Sequence, residues 1–276
     1  MEDNSVNTAD AGTADAGTAD ANTADTNTAD TGTTDTNMAD KSTTDSSAGD
    51  YDIEFFWDPI CPFAWVTSRW VENVAAQRDF KVNWRFISLS LLNEEKDYNK
   101  FPPGYKTLHT KGTAMLRVAA ATRKRFGIDQ MGLLYTALGE SIWNRQPPAN
   151  SAEPQDTMAP IATTEHLSKI LADLDLSQDL LEAADDASLD AELRAETELA
   201  LSRTGKNVGT PIITYRPPDG PSFFGPVISV PPEGEQALEL WDAVLTLAEW
   251  PSFAELKRTK RDMPRLELLK NMERLP

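Results

Sequence analysis

The chain has 276 residues, a formal net charge of −18 at pH 7, one cysteine and two histidines. Its acidic character argues against nucleic acid as a partner, while one cysteine excludes an intrachain disulfide framework and two histidines leave little for a metal site. No segment has the length and hydropathy of a transmembrane helix and the N-terminus lacks the pattern of a signal peptide, so we predict a soluble, cytoplasmic protein without a metal.

Residues 1–50 are a low-complexity segment, built mainly from Thr, Ala, Asp, Asn, Gly and Ser with an aspartate at every fifth position from Asp10 to Asp50. The segment carries Glu2 and ten aspartates against Lys41 alone, which is −10 of the net charge of −18. With so little to bury, it cannot offset the entropy lost on ordering. The composition therefore predicts a disordered acidic tail over 1–50, and a solvated spacer is its simplest interpretation.

The first folded elements follow this tail. The apolar run Ile53–Trp57 predicts a buried strand, which Asp58 and Pro59 end. Pro62 is well suited to the first position of a helix, and helical apolar spacing continues to about residue 78. Residues 81–87 then alternate between apolar and polar, as a half-buried strand does. A strand, a helix and a second strand make a βαβ unit.

The middle of the chain, from about residue 107 to 205, has a helical pattern that a proline-rich stretch at 147–160 interrupts. The candidate helices lie near 110–126, 131–145, 163–173, 177–185 and 188–204. Strand character returns at 211–215 and 222–224, and the turn between them predicts a β-hairpin. A last amphipathic helix is predicted over about 234–249.

The elements therefore run βαβ, a helical block and ββα. A βαβ half and a ββα half make a thioredoxin-like fold of the α/β class, with the block at the place where such folds accept insertions. We predict a thioredoxin-like domain over 51–106 and 206–276 and a large all-helical insertion over 107–205. The insertion is expected to cap the cleft beside the active site and to shape its apolar wall.

The single cysteine, Cys61, lies at the start of the first predicted helix, directly before Pro62. There a thiol faces unpaired N–H groups and the positive end of the helix dipole, which favour the thiolate. We therefore expect a pKa below the value of about 8.5 for a free cysteine, and a nucleophile rather than an inert buried thiol. The redox version of this site has a second cysteine three positions later, where this chain has Ala64.

A second motif lies at 208–211, where Pro211 opens a predicted strand. A proline in that place gives up a ladder hydrogen bond. In thioredoxin-like folds the bond before this proline is cis and its loop lies beside the cysteine. We therefore predict a cis bond between Thr210 and Pro211, and expect the backbone of Thr210 to pair with a bound peptide or thiol.

These motifs together resemble the DsbA-like thioredoxin-fold oxidoreductases, and within them the mycothiol-dependent nitroreductase type of actinobacteria. The resemblance covers nearly all of residues 51–265 and leaves the tail outside. The segments that carry it are distributed along the chain, at 56–62, 67–70, 88–94, 134–139, 208–211, 223–227 and 255–259.

The resemblance implies a cytoplasmic enzyme that uses a low-molecular-weight thiol, such as mycothiol, to reduce disulfides or electrophilic nitro compounds, with no tightly bound cofactor. It implies that Cys61 attacks and that Asn93 and Tyr105 line the site, with Tyr105 as a donor. A redoxin that recycles the mixed disulfide and a homodimer are both compatible with it. The family motif has Trp and Cys where this chain has Phe63 and Ala64, so a mixed disulfide on Cys61 needs a second external thiol.

The sequence also predicts roles for other residues near Cys61. Asp58 is interpreted as turn chemistry rather than as an acid or base, and His109 as a surface histidine at a helix start. Pro62, Phe63 and Trp65 are expected beside the bound thiol, with the two aromatic rings as a surface for the substrate.

Two other functions stay open at this point. Kappa-class transferases and chromene-carboxylate isomerases share the architecture, and in them a serine at the cysteine position suffices, so the small thiol would act without chemistry at Cys61. The alanine at position 64 also keeps open a non-catalytic thioredoxin-fold module that binds clients.

Overall fold

The computed structural model describes residues 51–147, 157–258 and 262–270. The tail predicted over 1–50 lies outside the described residues, as does part of the proline-rich stretch. Within these ranges no helix combines the length and the hydropathy needed to cross a membrane.

A four-stranded sheet lies at the centre of the fold. Its strands are β1 (Ile53–Trp57), β2 (Val82–Phe86), β3 (Ile212–Tyr215) and β4 (Ser222–Phe224), in the order β2-β1-β3-β4. Strand β1 runs parallel to β2 and antiparallel to β3, and β3 and β4 form the antiparallel hairpin. A sheet in this order joins a βαβ half to a ββα half, and the predicted thioredoxin-like fold is confirmed.

The helices are α1 (Pro62–Arg78), α2 (Leu89–Leu92), α3 (Tyr105–Phe126), α4 (Gln130–Trp143), α5 (Thr164–Asp173), α6 (Asp190–Thr204) and α7 (Gly234–Glu249). Short 3-10 segments lie at Tyr98–Lys100, Gln178–Asp185, Ala187–Leu189 and Glu267–Leu269. Helix α1 is the crossover between β1 and β2, and it packs against α7, where the indole N–H of Trp70 donates to the carbonyl of Ala237 at 2.9 Å.

The helical block differs from the prediction in three places. Helix α3 begins at Tyr105 rather than near 110, the short helix α2 was not predicted, and the helix predicted at 177–185 is a 3-10 segment. In that segment the buried residues Leu180 and Ala183 are three positions apart. A turn of three residues places both on one side, where the segment packs against α3.

One hydrophobic core runs through the sheet, α1 and the helical insertion. Trp57 of β1, Trp65 of α1 and Tyr135 of α4 are all buried in it. The ring of Tyr135 stacks on Trp57 with 4.3 Å between centroids and meets Trp65 edge-on at 5.9 Å. The insertion therefore packs directly against the N-terminal part of α1.

A network of ion pairs holds α6 against the other face of the sheet. Arg85 of β2 bridges Glu54 of β1 at 2.7 Å and Glu196 of α6 at 2.6 Å. Arg203, near the end of α6, also pairs with Glu54 and donates to the hydroxyl of Thr214 at 2.8 Å. Loss of one partner would leave a buried charge uncompensated, so the network fixes α6 on the sheet.

Candidate active site

Cys61 caps the N-terminus of α1. Its backbone is extended (φ −87°, ψ 109°), and its sulfur accepts a hydrogen bond from the backbone N–H of Ala64 at 3.4 Å. The turn before it is closed by the N–H of Cys61, which donates to the carbonyl of Asp58 at 3.0 Å. The predicted position of the thiol at a helix start is confirmed, but the residue is only 6% exposed.

The proline loop lies beside the thiol, as predicted. The peptide bond between Thr210 and Pro211 is cis, and the Cys61 thiol donates to the carbonyl of Thr210 with 3.7 Å between sulfur and oxygen. The hydroxyl of Thr210 is buried beside the Cys61 sulfur, where its hydrogen bonding lowers the pKa of the thiol against the larger effect of burial. Thr210 therefore brings one accepting carbonyl and one buried hydroxyl to the site.

The expectation of a lowered thiol pKa is wrong. Burial raises the pKa of Cys61 above the ordinary value, because the charged thiolate loses its hydration, and the negative charge of Asp58 raises it further. The hydrogen bond from the Ala64 N–H acts in the opposite direction but does not outweigh burial. The sequence predicted that Cys61 lies at the positive end of the α1 dipole, but it did not predict that the first turn of α1 is buried.

Asp58 lies fully buried between the turn and α2. One carboxylate oxygen accepts from the N–H of Ile60 at 3.1 Å, the turn contact expected from the sequence, and the other accepts from the N–H of Leu89 at 2.8 Å. Burial raises the pKa of Asp58 to about 7, although both hydrogen bonds favour the carboxylate. A carboxyl that titrates near neutral pH therefore lies close to Cys61, which the sequence did not indicate.

Tyr105 lies in an aromatic cluster at the start of α3. Its ring stacks on Phe101 at 5.0 Å and meets His109 at 4.6 Å between centroids. Burial raises the pKa of Tyr105, and the nearby charges of Cys61 and Asp58 raise it further. The hydroxyl of Tyr105 is therefore protonated in the neutral range. It also lies close enough to Cys61 for a charge on the sulfur to raise the pKa of the phenol.

His109 is not the surface histidine that was expected. It is 1% exposed, and because α3 begins at Tyr105 it lies in the second turn of that helix rather than at its start. Its Nδ1 lies 2.6 Å from the hydroxyl of Tyr98. Burial, with a contribution from Lys96, lowers the pKa of His109 to about 4, so the imidazole is neutral at pH 7.

Asn93 ends α2 and turns its amide back onto that helix. Its side-chain N–H donates to the carbonyl of Leu89 at 2.8 Å, and no hydrogen bond joins it to Cys61 among the described residues. The backbone N–H of the same Leu89 donates to the carboxylate of Asp58, which opens the turn over residues 58–61. Asn93 is therefore connected to this active-site turn only through α2. It is the predicted site residue that the structure brings least directly to the thiol.

The two aromatic residues after Cys61 differ in exposure. Trp65 is 2% exposed, with the guanidinium of Arg69 at 3.9 Å from its ring centroid, so it belongs to the core rather than to an open substrate surface. Phe63 and Pro62 are half-buried and reach solvent in part. Of the aromatic pair, only Phe63 is partly open to solvent, and its contact with a substrate stays a prediction.

Two helices of the insertion close directly on the active-site turn. A Cβ at Gly112 of α3 would lie 2.9 Å from both a carboxylate oxygen of Asp58 and a side-chain carbon of Ile60. The indole N–H of Trp143 in α4 donates to the carbonyl of Pro59 at 3.0 Å. Neither contact was predicted from the sequence, although a lone glycine within a helical pattern is itself a sign of close packing.

Two cavities formed by the described residues lie away from the thiol of Cys61. One of about 470 Å³ lies between β4 and the end of α7, and one of about 310 Å³ lies between α2, α3 and α6. Neither is lined by Cys61. The thiol is instead covered by the proline loop and by the turn itself.

A sheet of βαβ and ββα halves, with a cysteine capping the first helix beside a cis-proline loop, defines the thioredoxin-fold class of thiol oxidoreductases. The sequence profile of one family, described as mycothiol-dependent nitroreductase Rv2466c, matches residues 60–258. The chain belongs to this Rv2466c-like family of thiol-dependent oxidoreductases, and the resemblance found in its motifs is confirmed.

Similar proteins include one from Mycobacterium tuberculosis (strain ATCC 25618 / H37Rv), named Rv2286c. It is 31% identical over 209 residues, which are 75% of this chain and 82% of that protein. Among solved structures, the cytosolic disulfide reductase DsbM from Pseudomonas aeruginosa has 16% identity and a TM-score of 0.42, covering 71% of this chain and 99% of its own. A 2-hydroxychromene-2-carboxylate isomerase has 14% identity and a TM-score of 0.37, with 70% and 94% covered.

Proposed function

We propose that this chain is a cytoplasmic enzyme that reduces disulfides or electrophilic nitro compounds with a low-molecular-weight thiol such as mycothiol, through the thiol of Cys61. The observation that carries the proposal is the place of this single cysteine. Its sulfur lies at the N-terminus of α1, between the N–H of Ala64 and the carbonyl of Thr210. The family to which the chain belongs supports the same chemistry.

The proposed cycle uses two small thiols for each substrate. The Cys61 thiolate attacks a disulfide, forms a mixed disulfide and releases one substrate thiol after protonation. A first small thiol displaces the second substrate thiol, and another then frees Cys61 and leaves as the small-molecule disulfide. One disulfide is reduced and two thiols are oxidised. With a nitro compound, the two thiols supply the two electrons that form the nitroso compound, and one oxygen leaves as water. We propose that an external redoxin then reduces the small-molecule disulfide back to the thiol.

Each residue near the sulfur has a proposed role in this cycle. The carbonyl and hydroxyl of Thr210 position the incoming thiol beside Cys61, since the carbonyl accepts a hydrogen bond from the Cys61 thiol and the hydroxyl is buried beside the same sulfur. The hydroxyl of Tyr105 donates a hydrogen bond, because its raised pKa keeps its proton in place. Phe63 contacts the substrate through its exposed part, and Asn93 acts indirectly, by ending the helix that holds Asp58.

A second candidate function also has an observation in its favour. The Cys61 thiol donates to the Thr210 carbonyl and its pKa is raised, so the buried sulfur is protonated in the neutral range. A protonated thiol suits a site in which the bound small thiol is the nucleophile, as in kappa-class transferases. In that case Cys61 binds and orients the small thiol without forming a bond to it.

Intact mass spectrometry separates these candidates. The full chain is incubated with mycothiol disulfide and then with excess mycothiol, in parallel with Cys61→Ser. Because the chain has one cysteine, the proposal expects one adduct that the added thiol removes, none in Cys61→Ser, and turnover at background in the variant.

Turnover retained in Cys61→Ser would support the transferase-type site instead. A wild-type chain that forms no adduct and turns over neither disulfide nor nitro compound would contradict both enzymatic functions and leave the binding module.

A further inference from the structure

The last described segment of the chain, residues 262–270, lies beyond the range that matches the family profile and has no role in the cycle described above. We call it the C-terminal strap. Its only regular structure is the 3-10 segment Glu267–Leu269, yet Leu266, Leu268 and Leu269 are all buried in the same core as α1. Burial of three leucines holds this short segment at a fixed place on the protein.

One end of the C-terminal strap is bound to the loop that follows β4. The backbone N–H of Arg265 donates to the carbonyl of Ser229 at 2.9 Å. At the start of the same loop, the N–H of Gly225 donates to the carbonyl of Pro211, the cis-proline, at 2.8 Å. The strap is therefore joined to the proline side of the active site through one loop, which we call the 225–229 loop.

The other end of the strap is bound at the end of α4. The side-chain N–H of Gln146, just beyond that helix, donates to the carboxylate of Glu267 at 3.1 Å, and the 3-10 segment of the strap packs against α4. This end of α4 also carries the indole contact to the active-site turn. Since only Leu266 separates Arg265 from Glu267, the strap crosses from the 225–229 loop to the end of α4 within about 7 Å.

Between its two attachments the strap closes one face of α1. Successive residues of a helix point about 100° further around its axis. Trp65 packs against Gly139 of α4, and Thr67 donates its hydroxyl to the carbonyl of Pro226 in the 225–229 loop at 2.9 Å. Val66 points into the gap between these two contacts and is only 1% exposed. The strap joins the two sides of this gap, and its leucines belong to the same buried cluster as Val66.

The strap also borders the open part of the active site. Pro62 and Phe63, which are half-buried, precede Val66 and Thr67 by one helical turn and lie on the same two faces of α1. One turn rises about 5 Å, so a substrate that extends further than this from Cys61 along α1 meets the strap or the 225–229 loop. The room in this direction is that of a small molecule rather than of a polypeptide segment.

We propose that the C-terminal strap sets the size of the substrate. It restricts Cys61 to disulfides and nitro compounds of small molecules and excludes disulfides carried by folded proteins. This rests on the proposed function, and it gives a part in substrate selection to residues that lie outside the family match.

Two disulfide probes with the same reacting group test the proposal in a single reaction at Cys61. One is 2,2′-dipyridyl disulfide, and the other is a pyridyl disulfide attached by a short linker to surface lysines of ubiquitin. With either probe the Cys61 thiolate forms a mixed disulfide and expels pyridine-2-thiolate, which takes up a proton and is measured by its absorbance as pyridine-2-thione. N-acetylcysteine gives the ratio of the two rates for an unobstructed thiol.

The wild-type chain should prefer the small probe about a hundredfold more strongly than N-acetylcysteine does, because the protein-borne probe reaches the sulfur only when the strap opens. Both rates are measured at one pH, so the fraction of thiolate cancels from their ratio. A wild-type preference no stronger than that of N-acetylcysteine would overturn the proposal.

Leu269→Ala loosens the strap, and Leu180→Ala is its matched control. Both leucines are buried in a 3-10 segment, with 6% and 5% exposed, but the segment of Leu180 packs against α3. Leu269→Ala should weaken the preference for the small probe about tenfold, because loss of a buried side chain favours opening of the strap. Leu180→Ala should keep the wild-type preference. Equal weakening in both variants would show general loosening of the fold and overturn the proposal.

A second pair of variants leaves the core intact and decides the question if Leu269→Ala does not fold. Glu267→Lys removes the acceptor for Gln146 at the α4 end of the strap. Asp242→Lys makes the same charge reversal in an exposed ion pair with Arg78, on α7. The preference for the small probe should weaken severalfold in Glu267→Lys and stay at the wild-type value in Asp242→Lys. An unchanged preference in Glu267→Lys would contradict the proposal.

The result for the strap is independent of the result for the proposed function, because the probes require neither the small thiol nor turnover. A wild-type preference that Leu269→Ala weakens supports the strap, even if Cys61→Ser retains turnover. A chain that turns over small disulfides through Cys61 but has no preference between the probes keeps the proposed function and overturns the part of the strap.

Discussion

At the scale of single residues, the site is defined by two acidic groups buried at the same end of α1. The pKa of Cys61 and the pKa of Asp58 are both raised, chiefly by burial, and the charge of Asp58 adds to the shift of the thiol. Since Asp58 ionises near pH 7, the thiol loses its proton in surroundings that have already become negative. The reactivity of Cys61 should therefore rise only at a pH above the range in which Asp58 ionises.

Asp58→Asn tests this coupling. Removing the carboxylate charge should lower the pKa of Cys61, so alkylation by iodoacetamide becomes severalfold faster at a pH where Asp58 is ionised, and its pH profile moves to lower pH. Asp79→Asn makes the same change in the exposed cap at the other end of α1, ~25 Å away by the helical rise, and should leave the profile unchanged. Profiles that coincide in Asp58→Asn and wild type would exclude the coupling.

The same carboxyl has a consequence for stability. Its folded pKa of about 7 lies above its ordinary value of 3.8, so the stability it contributes is complete below about pH 3.8 and is lost as the pH rises through 7. The two histidines act in the opposite sense. For both, burial lowers the pKa to about 4, so their contribution is complete above about pH 6.5 and is lost as the pH falls toward 4.

The histidines can be followed directly, because the chain has only two. His166 accepts from the N–H of Ala162 at 3.1 Å and faces the hydroxyl of Ser141 at 2.8 Å, which places its proton on Nε2. We expect the imidazole resonances of both to stay those of neutral rings down to about pH 5 in the folded protein, and to titrate near pH 6.5 in urea. A folded-state midpoint near 6.5 would show that the ring concerned is hydrated.

At the scale of elements, the active-site turn is held by helices from far along the chain. Helix α3 approaches it through Gly112, and α4 contacts α1 through Gly139 and the turn through Trp143. The thioredoxin-like half supplies the cysteine, and the insertion fixes the turn that carries it.

Substitution by alanine should destabilise the protein by different amounts at Gly112 and at Gly139. A Cβ at Gly139 would lie 2.1 Å from the ring of Trp65, and one at Gly112 would lie 2.9 Å from Asp58 and Ile60. We expect Gly112→Ala to lower the free energy of unfolding by about 1–2 kcal/mol and Gly139→Ala by about 3 kcal/mol or more, as overpacking does. Urea denaturation measures both, and the reverse order would contradict the packing described here.

Elements that depend on local chemistry were predictable from the sequence. The bounds of β1, α1 and α7 agree with the prediction because apolar periodicity, Pro62 and the glycine at 234 mark them locally. The thiol pKa, the burial of His109 and the turned-in amide of Asn93 depend on α2 and α3 packing against the turn. Nothing near these residues in the sequence shows that contact, so their surroundings could not be predicted.

At the scale of the whole molecule, one core joins the sheet to the insertion, and the acidic tail lies apart from the family match. The match begins at residue 60, and the first strand begins at Ile53. The segment 1–50 accounts for −10 of the net charge of −18. We therefore place the folding and the chemistry of the protein in the residues that follow it.

Deletion of residues 1–50 tests that division. The truncated chain should unfold within about 2 °C of the full chain and keep its kcat/KM, since it retains every residue of the described core. Its net charge falls in magnitude from −18 to −8, so it should elute at lower salt from an anion exchanger. A fall in melting temperature or in turnover would give the tail a structural or catalytic part.

Alanine at position 64 gives Cys61 an unusual dependence on its surroundings. With no second cysteine in the chain, no other thiol of this protein can displace a group attached to Cys61. In the proposed cycle, release then depends on free thiol in solution, and the fraction of Cys61 that carries a mixed disulfide at steady state follows the local ratio of thiol to disulfide. The proposed enzyme would thus respond to the reducing capacity of its surroundings at the same sulfur that carries out its chemistry.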